Sequence, residues 1–149
     1  MSTIRRVSPR EAHDLVQREG YVYLDVRTEE EFAQGHPKGA WNVPFLLSTP
    51  SGMAPNPDFL TVVRAHFDTS TRIIVGCAAG GRSARAAEAL AQAGYTNVVD
   101  QRAGWSGCRD PFGQIVEAGW AAEGLPSATR AEPGRSHAEL RTGTAKDRG

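Results

Sequence analysis

The passage from Arg72-Ile73-Ile74-Val75-Gly76 through Cys77 into an alanine-rich run constrains the fold more than any other part of the chain. Its β-branched apolar residues suit a central strand buried on both faces. Residues 82–93 carry many alanines and Leu90 and end at Gly94, the pattern of a good helix with glycine at C′. A buried strand that turns directly into a helix points to a parallel sheet covered by helices.

The flanking sequence repeats this alternation. Ser8-Pro9-Arg10-Glu11 reads as a helix start with an N-cap serine, proline at the first helical position and glutamate closing a capping box. Tyr21-Val22-Tyr23-Leu24 reads as a short buried strand reaching Asp25, and Thr28-Glu29-Glu30-Glu31 as a second capping box before a short helix that stops at Gly35. Trp41-Asn42-Val43 is a third strand, closed by Pro44. Residues 48–57, rich in Pro, Ser and Gly, read as a loop. Asn56-Pro57 then opens a helix whose Phe59, Leu60, Val62, Val63 and Phe67 are spaced to face the core. Asn97-Val98-Val99-Asp100 reads as the last strand. The expectation is one domain over residues 1–126 and a disordered tail over 127–149, where the sequence is small and polar with one leucine and no aromatic residue.

Composition sets bounds on partners. The 149 residues suffice for one α/β domain. Lys+Arg and Asp+Glu are both 17, so no basic excess argues for nucleic acid or an anionic membrane, and neither is expected as a partner. No window approaches the roughly 20 apolar residues that span a bilayer. No apolar run of signal-peptide length follows Met1, so reduced thiols and a cytoplasmic location are expected.

The chemistry concentrates after the central strand. Cys77 leaves the carboxyl end of that strand, the edge where open α/β sheets hold their ligands. Ala78, Ala79, Gly80 and Gly81 present almost no side chain, so their backbone N–H groups can converge as an anion-binding nest. The helix that follows aims its positive N-terminus at the same point, with Arg82 and Arg85 near its start. A thiolate in such a cradle is stabilised relative to the thiol, and the same amides hold an anionic substrate. A lone cysteine at a strand end is more often a small buried hydrophobe. The loop and helix around Cys77 favour a nucleophile attacking an anion.

Other candidates carry less. Cys108 reads as an incidental surface thiol rather than a resolving cysteine. His13, His36, His66 and His137 show no metal spacing. Asp25 and Arg27 read as a structural ion pair, and Trp41, Trp105 and Trp120 as packing residues.

Several motifs in order resemble the single-domain rhodanese family over residues 4–126: Leu24-Asp25-Val26-Arg27, Glu31-Phe32, Gly35-His36-Pro37-Lys38-Gly39-Ala40-Trp41-Asn42-Val43-Pro44, Cys77-Ala78-Ala79-Gly80-Gly81-Arg82-Ser83 and Gly124-Leu125-Pro126. The Pro37-Lys38 order departs from the usual pattern. The resemblance implies an α/β fold, a single five-stranded parallel sheet with helices on both faces. It implies a thiosulfate sulfurtransferase with Cys77 as catalytic residue and Ala78, Ala79, Gly80, Gly81 and Arg82 as substrate-binding residues, needing no metal and no cofactor. The implied partners are a small anionic sulfur donor and a thiol or protein sulfur acceptor. A persulfide carrier for a partner protein is the alternative. The count from Cys77 to Arg82 is six residues, which in the superfamily goes with sulfur transfer. Related Cys-dependent phosphatases and arsenate reductases have one residue more.

Overall fold

Two capping boxes and a left-handed glycine set the limits of the first helices. In a computed structural model that describes residues 4–148, with side chains through residue 142, β1 (Arg5–Val7) leads into α1 (Pro9–Glu19). Ser8 Oγ accepts from the Glu11 N–H at 3.1 Å and the Glu11 carboxylate accepts from the Ser8 N–H at 2.9 Å, which satisfies two orphan donors at once. The helix ends at Gly20 with φ 71°, a conformation that glycine takes without a Cβ penalty. β2 (Val22–Asp25) follows, and Thr28 and Glu31 repeat the box at the start of α2 (Glu29–Gln34).

The chain continues through β3 (His36–Pro37), β4 (Trp41–Asn42), β5 (Leu46–Thr49), β6 (Gly52–Pro55), α3 (Phe59–His66), β7 (Ile73–Gly76), α4 (Gly81–Gln92) and β8 (Val98–Gln101). Short segments β9 (Cys108–Arg109), β10 (Ile115–Glu117) and β11 (Ser127–Ala128) precede α5 (His137–Arg148). The main sheet has five strands in the order β1-β8-β7-β2-β4, all of its pairings parallel. Leu24, Val26, Ile73 and Val75 form one core face with Phe59, Val62 and Val63 of α3, Leu90 of α4 and Leu140 of α5. Tyr23, Ile74 and Val99 form the other face with Ala12 and Leu15 of α1, Phe32 of α2 and Trp120. This is the expected five-stranded parallel sheet with helices on both faces.

Three local expectations need correction. β1 is absent from the sequence reading because only Val7 of its three residues is buried, so it shows no apolar run. Residues 48–57 are not a plain loop. β5 and β6 pair antiparallel from Leu46↔Pro55 to Thr49↔Gly52, and Thr49 Oγ1 donates to the Gly52 carbonyl at 2.6 Å across the turn. The stretch after Pro126 is structured over the described residues. β11 pairs with β3, the Asn42 N–H donates to Arg135 O at 3.0 Å, and Ser136 with Glu139 caps α5. Leu140 is 1% exposed, packed in the α3–α4 face of the core, and its carbonyl meets His66 Nε2 at 2.9 Å. Among the described residues, no helix is long and apolar enough to cross a membrane.

If α5 belongs to the core, Leu140→Ala should lower the unfolding free energy by about 2–4 kcal/mol, the usual result of removing a buried leucine. Urea unfolding measures it. A change within error would mean that α5 does not contribute to the core.

Candidate active site

Gly76 ends β7, and there is no space beside it. A Cβ at this position would sit 1.9 Å from the Tyr23 hydroxyl, so the residue before Cys77 has to be glycine. Tyr23 is fully buried, burial pushes its phenol well above the usual range, and Gln101 Nε2 donates to its oxygen at 3.2 Å. The backbone entering the loop is therefore held from below.

The loop is also held from the side. The Trp105 N–H donates to Cys77 O at 2.7 Å and the Ser106 N–H to Ala78 O at 2.8 Å. Gly104 makes that approach possible, because a Cβ there would meet Cys77 O at 2.4 Å and Ala78 O at 2.5 Å. Gln101 shapes the turn by accepting from the N–H groups of Ala103 and Gly104 at 2.8 and 2.9 Å. In a trans peptide the N–H points opposite to the C=O. With the carbonyls of Cys77 and Ala78 committed outward, the amides of Ala78 and Ala79 turn inward, as the sequence predicts for a nest.

Cys77 Sγ sits inside this ring. The Gly80 N–H donates to it at 3.1 Å and Ser83 Oγ lies 3.5 Å away. Gly80 adopts φ 101°, and a Cβ there would strike Arg102 O at 2.4 Å. Ser83 is fully buried in the first turn of α4 and its hydroxyl also reaches Gly80 O at 3.3 Å. Cys77 itself is only 2% exposed.

Arg82 is held rather than free. Its two terminal nitrogens lie 2.7 and 3.0 Å from the two Glu31 carboxylate oxygens, a bidentate pair joining α4 to α2. Burial raises the Glu31 carboxyl, but the Arg82 fork and the Thr28 N–H outweigh it and hold the group at about 2. Arg85 turns aside, its guanidinium 5.7 Å from the Phe45 ring centroid. An open groove lined by Thr28, Glu30, Leu46 and Met53 adjoins the Glu31–Arg82 pair.

The structure thus brings Cys77, Ala78, Ala79, Gly80, Gly81 and Arg82 together. Glu31 and Ser83 adjoin them, two motif residues to which the sequence assigns no role in the site. Glu31 stands in the sequence as a capping residue and as part of the Glu31-Phe32 motif, and neither pattern shows its pairing with Arg82. Asp25 and Arg27 form a buried pair at 2.7 Å, with Arg27 also donating to Gly35 O at 2.6 Å. Cys108 is a half-buried free thiol in β9. His36 stacks on Phe32 and donates from Nδ1 to Phe32 O at 2.7 Å. No group of His, Cys, Asp and Glu among the described residues could hold a metal ion.

A family model described as rhodanese-like domain matches residues 8–110. "Thiosulfate sulfurtransferase 16, chloroplastic" of Arabidopsis thaliana is 49% identical over 121 residues, covering 81% of this chain and 90% of that protein. "Senescence-associated protein DIN1" of Raphanus sativus is 46% identical over 99 residues, 66% of this chain and 54% of that protein, so the chain spans about half of its length. Among solved structures, the crystal structure of Rv0390 from M. tuberculosis superposes with a TM-score of 0.71 at 28% identity, covering 87% of this chain and all of that one. The first of these names is chloroplastic and lends no support to a cytoplasmic location.

Glu31 generates a pH prediction. Its folded carboxyl titrates below the unfolded one, so its contribution to stability is complete above the ordinary glutamate range and drains away as pH falls toward 2. The destabilisation caused by Glu31→Gln, read by urea unfolding, should be full at neutral pH and shrink between about pH 5 and about pH 2. A difference that stays constant over that range would rule out the pair.

Proposed function

The chain belongs to the rhodanese-like domain family, and from that premise and the geometry around Cys77 we propose that it is a sulfurtransferase carrying sulfur as a Cys77 persulfide. One observation carries the reading most of the way. The sulfur of Cys77 accepts the Gly80 N–H at 3.1 Å inside a loop whose other amides turn toward the same space. Such a ring favours a thiolate, an anionic donor and the terminal sulfur of a persulfide alike.

The donor is thiosulfate or a similar small sulfur-bearing anion. The Cys77 thiolate attacks the outer sulfur, the sulfur–sulfur bond of thiosulfate breaks, and sulfite departs with the bonding pair. The charge of the two reactants equals that of persulfide plus sulfite, so no proton and no redox cofactor enters the step. In the second half an acceptor attacks the outer sulfur and frees the Cys77 thiolate. Cyanide does this in an assay and leaves as thiocyanate. A thiolate acceptor such as glutathione, thioredoxin or another protein leaves as a persulfide.

The loop amides position both anions. Ser83 Oγ lies 3.5 Å from the Cys77 sulfur and gives its own hydrogen to Gly80 O, which holds the loop against the first turn of α4. The Glu31 carboxylate neutralises and orients Arg82, which leaves the amides and the α4 N-terminus as the main attraction for the donor. A cycle that returns to a free thiol suits a compartment that keeps thiols reduced, the cytosol among them.

A carrier that hands its sulfur to a partner protein uses the same first half-reaction, and the two readings divide on the acceptor. The six-residue loop from Cys77 to Arg82 favours sulfur transfer over phosphoryl or arsenate chemistry, which the superfamily couples to a loop one residue longer.

Incubation with thiosulfate should add one sulfur atom to the intact mass, and cyanide should remove it as thiocyanate. Cys77→Ser should gain no sulfur, whereas Cys108→Ser should load as wild type does. An unloaded wild type, or a loaded Cys77→Ser, would sink the proposal. Slow discharge to cyanide with fast discharge to a reduced protein thiol would select the carrier reading.

A further inference from the structure

A cleft of about 550 Å³ lies between α1 and the chain around β11 and α5, and the sulfur chemistry makes no use of it. It opens beside Tyr21 and Val22, at the start of β2. Val22 is level with Ile73 and Asp25 with Gly76, so the cleft lies toward the end of the sheet opposite Cys77. None of its lining residues belongs to the 77–82 loop. Its volume falls within the range of small-molecule sites, about 300–1,000 Å³.

The lining is aromatic and cationic. Tyr23 and Trp120 are buried and meet edge to face at 5.4 Å between centroids, while Tyr21 and Trp41 are half-buried walls. Lys38 and Arg135 stand at the rim. Arg135 is half-buried, lies 4.7 Å from the Trp41 centroid and donates to Gly39 O at 2.8 Å. Neither Lys38 nor Arg135 forms an ion pair among the described residues. Glu132 is the one carboxylate in the lining, so the two cations leave an excess of positive charge even with His13 neutral.

We propose that this cleft is a second binding site, for a small aromatic anion of the aromatic carboxylate class. A planar ring packs against the half-buried Tyr21 and Trp41, with buried Trp120 behind them in the cleft wall. Its carboxylate accepts charge-assisted hydrogen bonds from Lys38 and from the part of the Arg135 fork that Gly39 does not use. A half-buried guanidinium without a counter-charge gains more from such a partner than an exposed one does. An aromatic cation meets repulsion at the same rim, so the sign of the ligand is specified as well as its shape.

The probe is 2-naphthoate, titrated into labelled protein while the indole N–H resonances are followed. Saturable shifts at Trp41 and Trp120 are expected, with 2-naphthylmethylamine producing none. Lys38→Glu changes an exposed side chain and should raise the naphthoate dissociation constant about tenfold. Absence of saturable shifts, equal response to the amine, or unchanged affinity in Lys38→Glu would overturn the site. Cys77→Ser should bind naphthoate as wild type does, so loss of the sulfur reading and loss of this one are seen separately.

Discussion

Two hydrogen bonds decide what the rest of the molecule can do. By taking up the carbonyls of Cys77 and Ala78, the N–H groups of Trp105 and Ser106 turn the amides of Ala78 and Ala79 away from the 101–106 segment. Without that lateral hold, a run of alanine and glycine has many conformations of similar energy and no reason to form a ring. The hold depends in turn on Gly104, the one residue type that allows two backbones so close, and on Gln101, whose oxygen fixes the turn before it. The sheet delivers Cys77 to an edge, and the 101–106 segment turns that edge into a binding site.

Polar groups gather at the carboxyl end of the sheet, and those around Asp25 are matched. Asp25 accepts from both the backbone and the guanidinium of Arg27, while the Asn42 amide donates to Asp25 O and Arg27 O. A buried ion pair adds little net stability once desolvation is counted. Its effect here is positional. It fixes the departure of the chain from β2 toward α2, which presents Glu31 to Arg82. The line from Asp25 to the reactive loop thus passes through two ion pairs on two different elements.

The sequence made the chemistry more legible than the boundaries. The 73–76 run and its small-residue loop are local signals with a local cause, so the cradle could be read before any contact was known. Glu31 and Ser83 were harder because their partners lie across the fold or one helical turn away. Glu31 looked complete as a capping residue. β1 gives no pattern because a three-residue edge strand needs one buried side chain only. β5 and β6 are stabilised by a side-chain bridge at Thr49 and not by hydrophobic alternation, so their Pro, Ser and Gly content reads as loop. The segment after Pro126 has the composition of a tail and still packs, since a single leucine suffices where the core already has a place for it.

The near-complete enclosure of Cys77 has a consequence for how the two halves of a transfer cycle differ in access. A thiol only 2% exposed admits a slender reactant and refuses a bulky one. In the proposed persulfide the reactive atom would stand one sulfur–sulfur bond from Cys77 Sγ, about 2 Å. On that proposal the empty and loaded forms would filter different reagents. The first is shielded from large oxidants and alkylators, while the second would offer its cargo closer to the rim, within reach of a bulkier acceptor. The proposed cargo would then be its own extension arm, so that one rigid cradle could be selective on intake and permissive on delivery without moving.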